Sequence, residues 1–263
     1  MDFTNKTIWI TGATSGIGKA VAEEIAHHKC RLILSGRNEA ALAETGKNCE
    51  RNGSSVRLIL FDLGSEQSVV EAAAQVLSTN ENIDCLYHFG GISQRSLVTE
   101  TPPEVERKIF EINFLGTVAL TKAVLPKMIE KGEGHVAVTS SIVGKFGFPY
   151  RSAYSASKHA LHGYFESLRA ENAKHIKVSI IIPGRIKTNI SLNALNKNGL
   201  NHGVMDKGQE NGMEVGKAAK LICRKLKKEK KEILVGGNEL VMVYIRRFIP
   251  ALYYRLVTKV QPL

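Results

Sequence analysis

The pentapeptide Tyr154-Ser155-Ala156-Ser157-Lys158 sets a phenol and an ammonium four residues apart, and two hydroxyls, Ser140 and Ser141, lie upstream of it. On a helix, Tyr154 and Lys158 share one face. A tyrosine titrates near ~10, and a close cation lowers a pKa by roughly 1–3 units, so the pair predicts a phenol that exchanges a proton near neutral pH. Such a group suits an alcohol or a carbonyl as the other reactant. Ser141 precedes Tyr154 by thirteen residues, and its hydroxyl is placed to hold a substrate oxygen. Lys158 is also placed to reach a ribose. Taken alone, a Tyr/Lys pair at this spacing occurs on many surface helices, and its surroundings decide between the two readings.

Those surroundings alternate between apolar strand-like runs and helical patterns. The runs are TIWIT (7–11), RLILS (31–35), VRLILF (56–61), IDCLYHF (83–89), HVAVTS (135–140), KVSIII (177–182) and EILVG (232–236). Helices are predicted to about His28, over 38–52, 66–77 and 103–130, and over 152–173. Runs this apolar predict strands buried on both faces, as in parallel sheets, and the alternation predicts a doubly wound (Rossmann) α/β sheet of about seven strands in a single domain. Residues 1–238 form this domain, with 189–213 as a lid or a disordered loop over the substrate, and 239–263 as a basic amphipathic extension.

The first strand-to-helix turn reads TGATSGIGK, with glycines at Gly12, Gly16 and Gly18. Glycines permit a tight turn and a close backbone approach, and the helix start offers free N–H groups to a pyrophosphate. The second strand ends in LILSGRN, with Arg37 and no acid adjacent in sequence. A carboxylate there would bind the ribose diol of NAD, whereas an arginine suits a 2′-phosphate, so NADP (as NADPH) is expected in preference to NAD. Asp62 and Leu63, closing the third strand, are placed at the adenine edge.

In combination, TGATSGIG, the Asn113 of EINFLGT, the Ser141 of VTSSIVG, YSASK and PGRIKT (183–188) resemble the short-chain dehydrogenase/reductase superfamily from about Thr7 to Val235. SSIVGKFGFPYRSAYSASKHAL and the YIRRFIPALYYRL tail are similar to the group around mammalian dehydrogenase/reductase family member 7. The resemblance implies an oxidoreductase with Tyr154 as acid and base and Lys158 as the cation that lowers its pKa and binds ribose. It further implies that Ser141 orients the carbonyl and Asn113 supports a proton relay. Gly12, Thr14, Ser15, Gly16, Ile17 and Gly18 would hold the pyrophosphate and adenosine region, and Pro183, Ile186 and Thr188 the nicotinamide end. The family usually has NNAG after the fourth strand, and this chain has His88-Phe89-Gly90-Gly91. Gly90 keeps its place among the cofactor contacts, while both amides are lost.

The four cysteines (Cys30, Cys49, Cys85, Cys223) are scattered and the histidines form no ligand pattern, so free thiols, a reducing cytoplasmic compartment and no metal are expected. No run of eighteen apolar residues occurs, and no bilayer-spanning helix is expected. The net charge of +11 is concentrated in the tail: residues 217–263 hold twelve basic and three acidic groups. With a nearly neutral body and no aromatic-plus-basic surface motif, nucleic acid is not an expected partner. Expected partners are a small carbonyl or alcohol substrate, which family likeness makes lipophilic, and a second copy of the chain. A homodimer or homotetramer would form through Leu161, Tyr164, Phe165 and Leu168 of the Tyr154 helix, or those side chains would face the chain's own sheet. No acid or arginine cluster selects a substrate. The tail, read as a helix, carries the stripe Ile245, Phe248, Ile249, Leu252, Tyr253, Leu256 and Val260 with Arg247, Arg255 and Lys259 beside it. It either contacts a membrane surface reversibly or packs on the pocket rim or a second subunit. Competing functional readings are a catalytically silent nucleotide sensor on the same fold, or a lipid-metabolism reductase at a membrane surface.

Overall fold

A computed structural model describes residues 1–79 and 82–259. The main strands are β1 (Thr7–Thr11), β2 (Arg31–Gly36), β3 (Ser55–Leu60) and β4 (Cys85–His88), with a two-residue β5 (Gln94–Arg95). They continue with β6 (Gly134–Thr139), β7 (Ile176–Pro183), a second two-residue strand β8 (Leu195–Asn196), and β9 (Glu232–Val235). Helices α1 (Gly16–Ala26), α2 (Glu39–Arg51), α3 (Glu66–Leu77), α4 (Pro103–Phe110), α5 (Gly116–Lys131) and α6 (Ser152–Glu171) connect them. A short α7 (Lys207–Glu210), then α8 (Val215–Lys227), α9 (Val241–Phe248) and α10 (Pro250–Val257) complete the chain. Seven strands make one sheet in the order β3-β2-β1-β4-β6-β7-β9, every pair parallel; β5 and β8 pair apart from it.

Alternation along β1 assigns the two faces. Ile8 and Ile10 pack into the layer of α1 and α8, while Trp9 packs into the layer of α3, α5 and α6 and donates its indole N–H to Ser35 Oγ at 2.6 Å. Both layers are needed because a parallel sheet has two apolar faces to cover. Strand β3 departs from the expectation of burial on both faces: Leu58 and Leu60 are 41% and 49% exposed, since this edge strand has one neighbour and incomplete helical cover.

Two further expectations change. From Pro103 to Lys131 the chain is continuously helical, 29 residues whose best window has a mean hydropathy of 1.3, long and apolar enough by length and composition to cross a membrane. In the fold this stretch is a core element: Ile109, Leu120, Val124 and Met128 are buried, and a widened π-type turn at Glu111–Leu115 turns Asn113 inward. On α6, Leu161, Phe165 and Leu168 are buried in the chain's own core, and Tyr164 packs edge-on against Phe114 and Phe165. The spacing of Leu161, Phe165 and Leu168 therefore serves the sheet, while Tyr164 stays partly exposed. The segment 189–213 is folded across the site: β8 pairs with β5, Ser191, Ala194 and Asp206 are buried, and Ile186 bridges to Met213. Val260, predicted to extend the tail stripe, lies outside the described residues.

Candidate active site

The sheet order reverses direction between β1 and β4, and the crevice beyond their C-terminal ends is where a doubly wound sheet takes its ligand. A single cavity of about 1290 Å³ opens there. It is lined by Gly12, Thr14, Ser15, Gly16, Ile17, Gly18, Arg37, Asp62, Leu63, Gly90, Ser141, Tyr154, Lys158, Pro183, Ile186 and Thr188. These are all the residues singled out from the sequence except Asn113.

At the glycine turn, backbone runs close to backbone. Gly12 has φ +70°, and a Cβ there would come within 2.5 Å of the Gly90 nitrogen; a Cβ on Gly18 would overlap the Gly12 carbonyl oxygen. Ser15 starts α1 in extended geometry with no side-chain cap, so the first-turn N–H groups point out of the helix without a side-chain partner. A pyrophosphate fits this cradle by both shape and polarity. Thr188 faces it from the other side, with its methyl group 3.4 Å from where a Gly16 Cβ would lie. Arg37, half-exposed at the end of β2, lies 3.7 Å from the Asp62 carboxylate. The acid missing near Arg37 in sequence is thus supplied across the sheet by the turn after β3.

The altered segment after β4 has its own internal logic. His88 is buried, bonds Thr121 Oγ1 on α5 at 3.0 Å, and is held neutral by burial, which lowers its pKa to about 3. Gly90 abuts Leu63 and Gly12, while Gly91 lies between Asn113 Oδ1 and Lys158 Nζ, the former 3.0 Å from where a Cβ would sit. A side chain at either position would fill the crevice.

Around Tyr154 the geometry differs from the simple Tyr/Lys picture. Lys158 Nζ lies 5.8 Å from the Tyr154 ring centroid and donates to the Thr139 carbonyl at 2.8 Å. Burial pushes the phenol above its ordinary value, and a hydrogen bond with Ser141, then the guanidinium groups of Arg95 and Arg151, pull it back down. Lys158 is not among the groups that lower it, because its ammonium is drawn to the end of β6. Burial also lowers the Lys158 pKa, to about 8. Asn113 does not reach the cavity: its amide accepts from Ile92 N at 2.8 Å and donates to Ile92 O and Ser157 Oγ, and Ser157 in turn bonds the Tyr154 carbonyl. It ties the strand-β4 loop to the helix that carries the phenol.

Several functional candidates were not legible from the sequence. Gln94 Oε1 accepts from the backbone N–H groups of Ala153 and Tyr154 at 2.9 and 3.3 Å, capping α6 from a residue about sixty positions away. The neighbouring Arg95 donates through Nε to both carboxylate oxygens of Asp206 at 3.2 and 3.1 Å, and Arg151 donates to Asp206 at 2.8 Å. This corrects the expectation that no arginine cluster faces the substrate, since all three line the cavity. No local spacing links positions 95, 151 and 206, so pattern reading had nothing to detect. One group of metal-type ligand atoms exists among the described residues, His162, Glu166 and Glu232, but it lies off the cavity and Glu232 is paired with Lys145.

Comparison with known proteins agrees with this geometry. The family model of short chain dehydrogenase matches residues 6–199. Dehydrogenase/reductase SDR family member 7B of Mus musculus is 40% identical over 260 residues, covering 96% of this chain and 80% of its own. A short chain dehydrogenase/reductase from Burkholderia phymatum, solved in complex with NAD, superposes with a TM-score of 0.85 at 22% identity, over 100% of this chain and 98% of its own. A short-chain dehydrogenase from Sphingobium yanoikuyae, solved with NADPH, gives 0.78 at 22% identity, over 97% and 96%. At such identities the two structures speak for the fold alone.

Among the described residues Asp206 is the one carboxylate bonded to two guanidinium groups, the buried Arg95 and the mostly buried Arg151, so removing its charge leaves them uncompensated. Asp206→Asn should lower the unfolding free energy by about 3–5 kcal/mol, measured by urea denaturation, with a larger effect than Glu100→Gln at the exposed Glu100–Lys197 pair.

Proposed function

The chain belongs to the short chain dehydrogenase family, and on that premise we propose that it is an NADP-dependent oxidoreductase interconverting a carbonyl and an alcohol on a lipophilic substrate. One observation carries the reading most directly: the Tyr154 phenol, the Ser141 hydroxyl and the Lys158 ammonium line one wall of a cavity that also receives the glycine turn. A bound nicotinamide dinucleotide supplies the hydride in this chemistry, and its holders would be the first turn of α1, Arg37 and Asp62, and Pro183, Ile186 and Thr188. The chain's own contribution is proton transfer and orientation. Ser141 would hold the substrate oxygen, Tyr154 would give it a proton on reduction and take one on oxidation, and Lys158 would keep positive charge near the reacting end.

The direction of the Tyr154 shift supports reduction at neutral pH, because a buried phenol held above its ordinary value is protonated and ready to donate. Arg37 supports the 2′-phosphate reading: the second strand closes on a cation, with Asp62 set off at 3.7 Å. Apolar lining from Ile142, Val143, Phe146, Phe148 and Ile190 supports a lipophilic substrate.

Tyr154→Phe should bind coenzyme nearly as the parent does and lose turnover by several orders of magnitude across a panel of carbonyls read by coenzyme absorbance. Retention of parental kcat on any accepted substrate would refute the acid assignment. Arg37→Asp should weaken NADPH binding far more than NADH binding in fluorescence titrations, and equal affinities of the parent for both would overturn the coenzyme preference. The lowered Lys158 pKa predicts a pH limb. The ammonium is present below about 8 and lost as pH rises through that value. kcat/KM for reduction, which reports the free enzyme, should therefore fall over that interval. A profile flat up to the ordinary lysine range would show that this charge is not used.

A further inference from the structure

We propose that the outer face of the α9–α10 pair is a docking surface for an anionic lipid membrane. The pair is anchored rather than loose. Ile249 leaves the helical path (φ −134°, ψ 62°), Pro250 restarts the chain as the first residue of α10, and the two short helices fold together. On the inner side, Tyr253 is buried against Phe146 and Val143 with Met242, Ile245 and Val257 around it, and its hydroxyl donates to the Gly147 carbonyl. The predicted single stripe is thereby divided: Ile245 and Tyr253 turn inward, while Phe248, Ile249, Leu252 and Leu256 remain outside.

The outer side has the composition of an interfacial element. Phe248 is 70% exposed, and Val241, Tyr244 and Ile249 are each 54% exposed. Between Val241 and Lys259 stand Arg246, Arg247, Arg255 and Lys259 and no acidic residue. Arg247 lies 5.8 Å from the Phe248 ring and Arg246 5.5 Å from the ring of the exposed Tyr254, so the cations share a surface with the aromatics. An exposed apolar patch edged by charge of a single sign fits a surface that offers both hydrocarbon and negative headgroups. It does not fit a second copy of the same face, because a two-fold contact would bring these cations together with no acid to pair them. Leu256, Met242 and Lys259 also line the cavity, so docking through this face sets the cavity mouth against the lipid. Delivery of a lipophilic substrate by that route rests on the proposed function, whereas lipid binding itself does not.

Co-sedimentation of the full chain with phosphatidylcholine vesicles, with and without phosphatidylserine and at low and high salt, tests the proposal. Binding should require phosphatidylserine and weaken at high salt. Arg247→Gln and Arg255→Gln should each lower partitioning about fivefold, and Phe248→Ser with Ile249→Ser should lower it at least as much. These side chains are exposed, so near-UV circular dichroism and turnover of a water-soluble carbonyl should stay at parental levels, which separates loss of docking from loss of the enzyme. The proposal is overturned by absence of binding to phosphatidylserine vesicles, by equal binding to neutral ones, or by arginine variants that bind like the parent. It is also overturned if the parent's mass in light scattering exceeds one chain and Phe248→Ser reduces it without any effect on vesicles, since a second copy then covers the face.

Discussion

The constraint on which this structure rests is that a parallel sheet delivers all its strand ends to one edge. β1, β4, β6 and β7 finish side by side, so Gly12, Gly90, Ser141 and Pro183, far apart in sequence, emerge around a single crevice. Burial on both faces makes that edge rigid, and the glycines then let two backbones approach where any Cβ would collide. The crevice is a consequence of chain direction, and the chemistry is a consequence of which side chains follow the last residue of each strand.

A second layer of control runs through two residues. Gln94 caps the helix bearing Tyr154, and Arg95 beside it grips Asp206 in the segment that covers the cavity, while the same dipeptide pairs as β5 with β8 of that segment. Cover and the Tyr154 helix are therefore fastened to one short strand. The α6 N-terminus has no cap from its own Arg151 side chain, so the carboxamide oxygen of Gln94 satisfies donors that would otherwise lack a side-chain partner. The two guanidinium groups against one carboxylate leave an excess of positive charge beside the phenol. Burial still holds Tyr154 above its ordinary value, and Ser141 together with that excess removes only part of the upward push.

What the sequence could disclose follows from range. Strand runs, the glycine turn, and the Tyr154–Lys158 spacing are local, governed by periods of two and 3.6 residues, and the seven-strand architecture was legible from them. β3 misled because an apolar run does not say whether a strand is central or at an edge. The Leu161–Leu168 stripe left two readings open for a related reason: helical periodicity marks a buried face without saying what buries it. The Gln94 cap and the Arg95–Asp206–Arg151 cluster were invisible because each joins segments more than fifty positions apart. The Lys158 shift was hidden for another reason: its cause is burial, and the Tyr154–Lys158 spacing does not say that the ammonium is enclosed beside the Thr139 carbonyl.

The basic excess of the C-terminal region divides along similar lines. On α8, Arg224, Lys225 and Lys227 fall in the last turn, where cations meet the negative end of the helix dipole, and Lys225 donates to the Leu234 carbonyl at 2.9 Å. Those charges have work within the fold. In the last two helices the situation is different, because α9 and α10 present Arg247 and Arg255 beside Phe248 and Leu252 with no carboxylate partner among the described residues. A fold that pairs Arg95, Lys131 and Lys145 with acids elsewhere leaves these unpaired on its most exposed apolar surface. The inward face of the same helices, closed by Tyr253 on Phe146, explains why the segment is ordered; the outward face has no such cover among the described residues. The proposed partner, negative at its surface and hydrocarbon beneath, would meet both its charge and its apolar side chains.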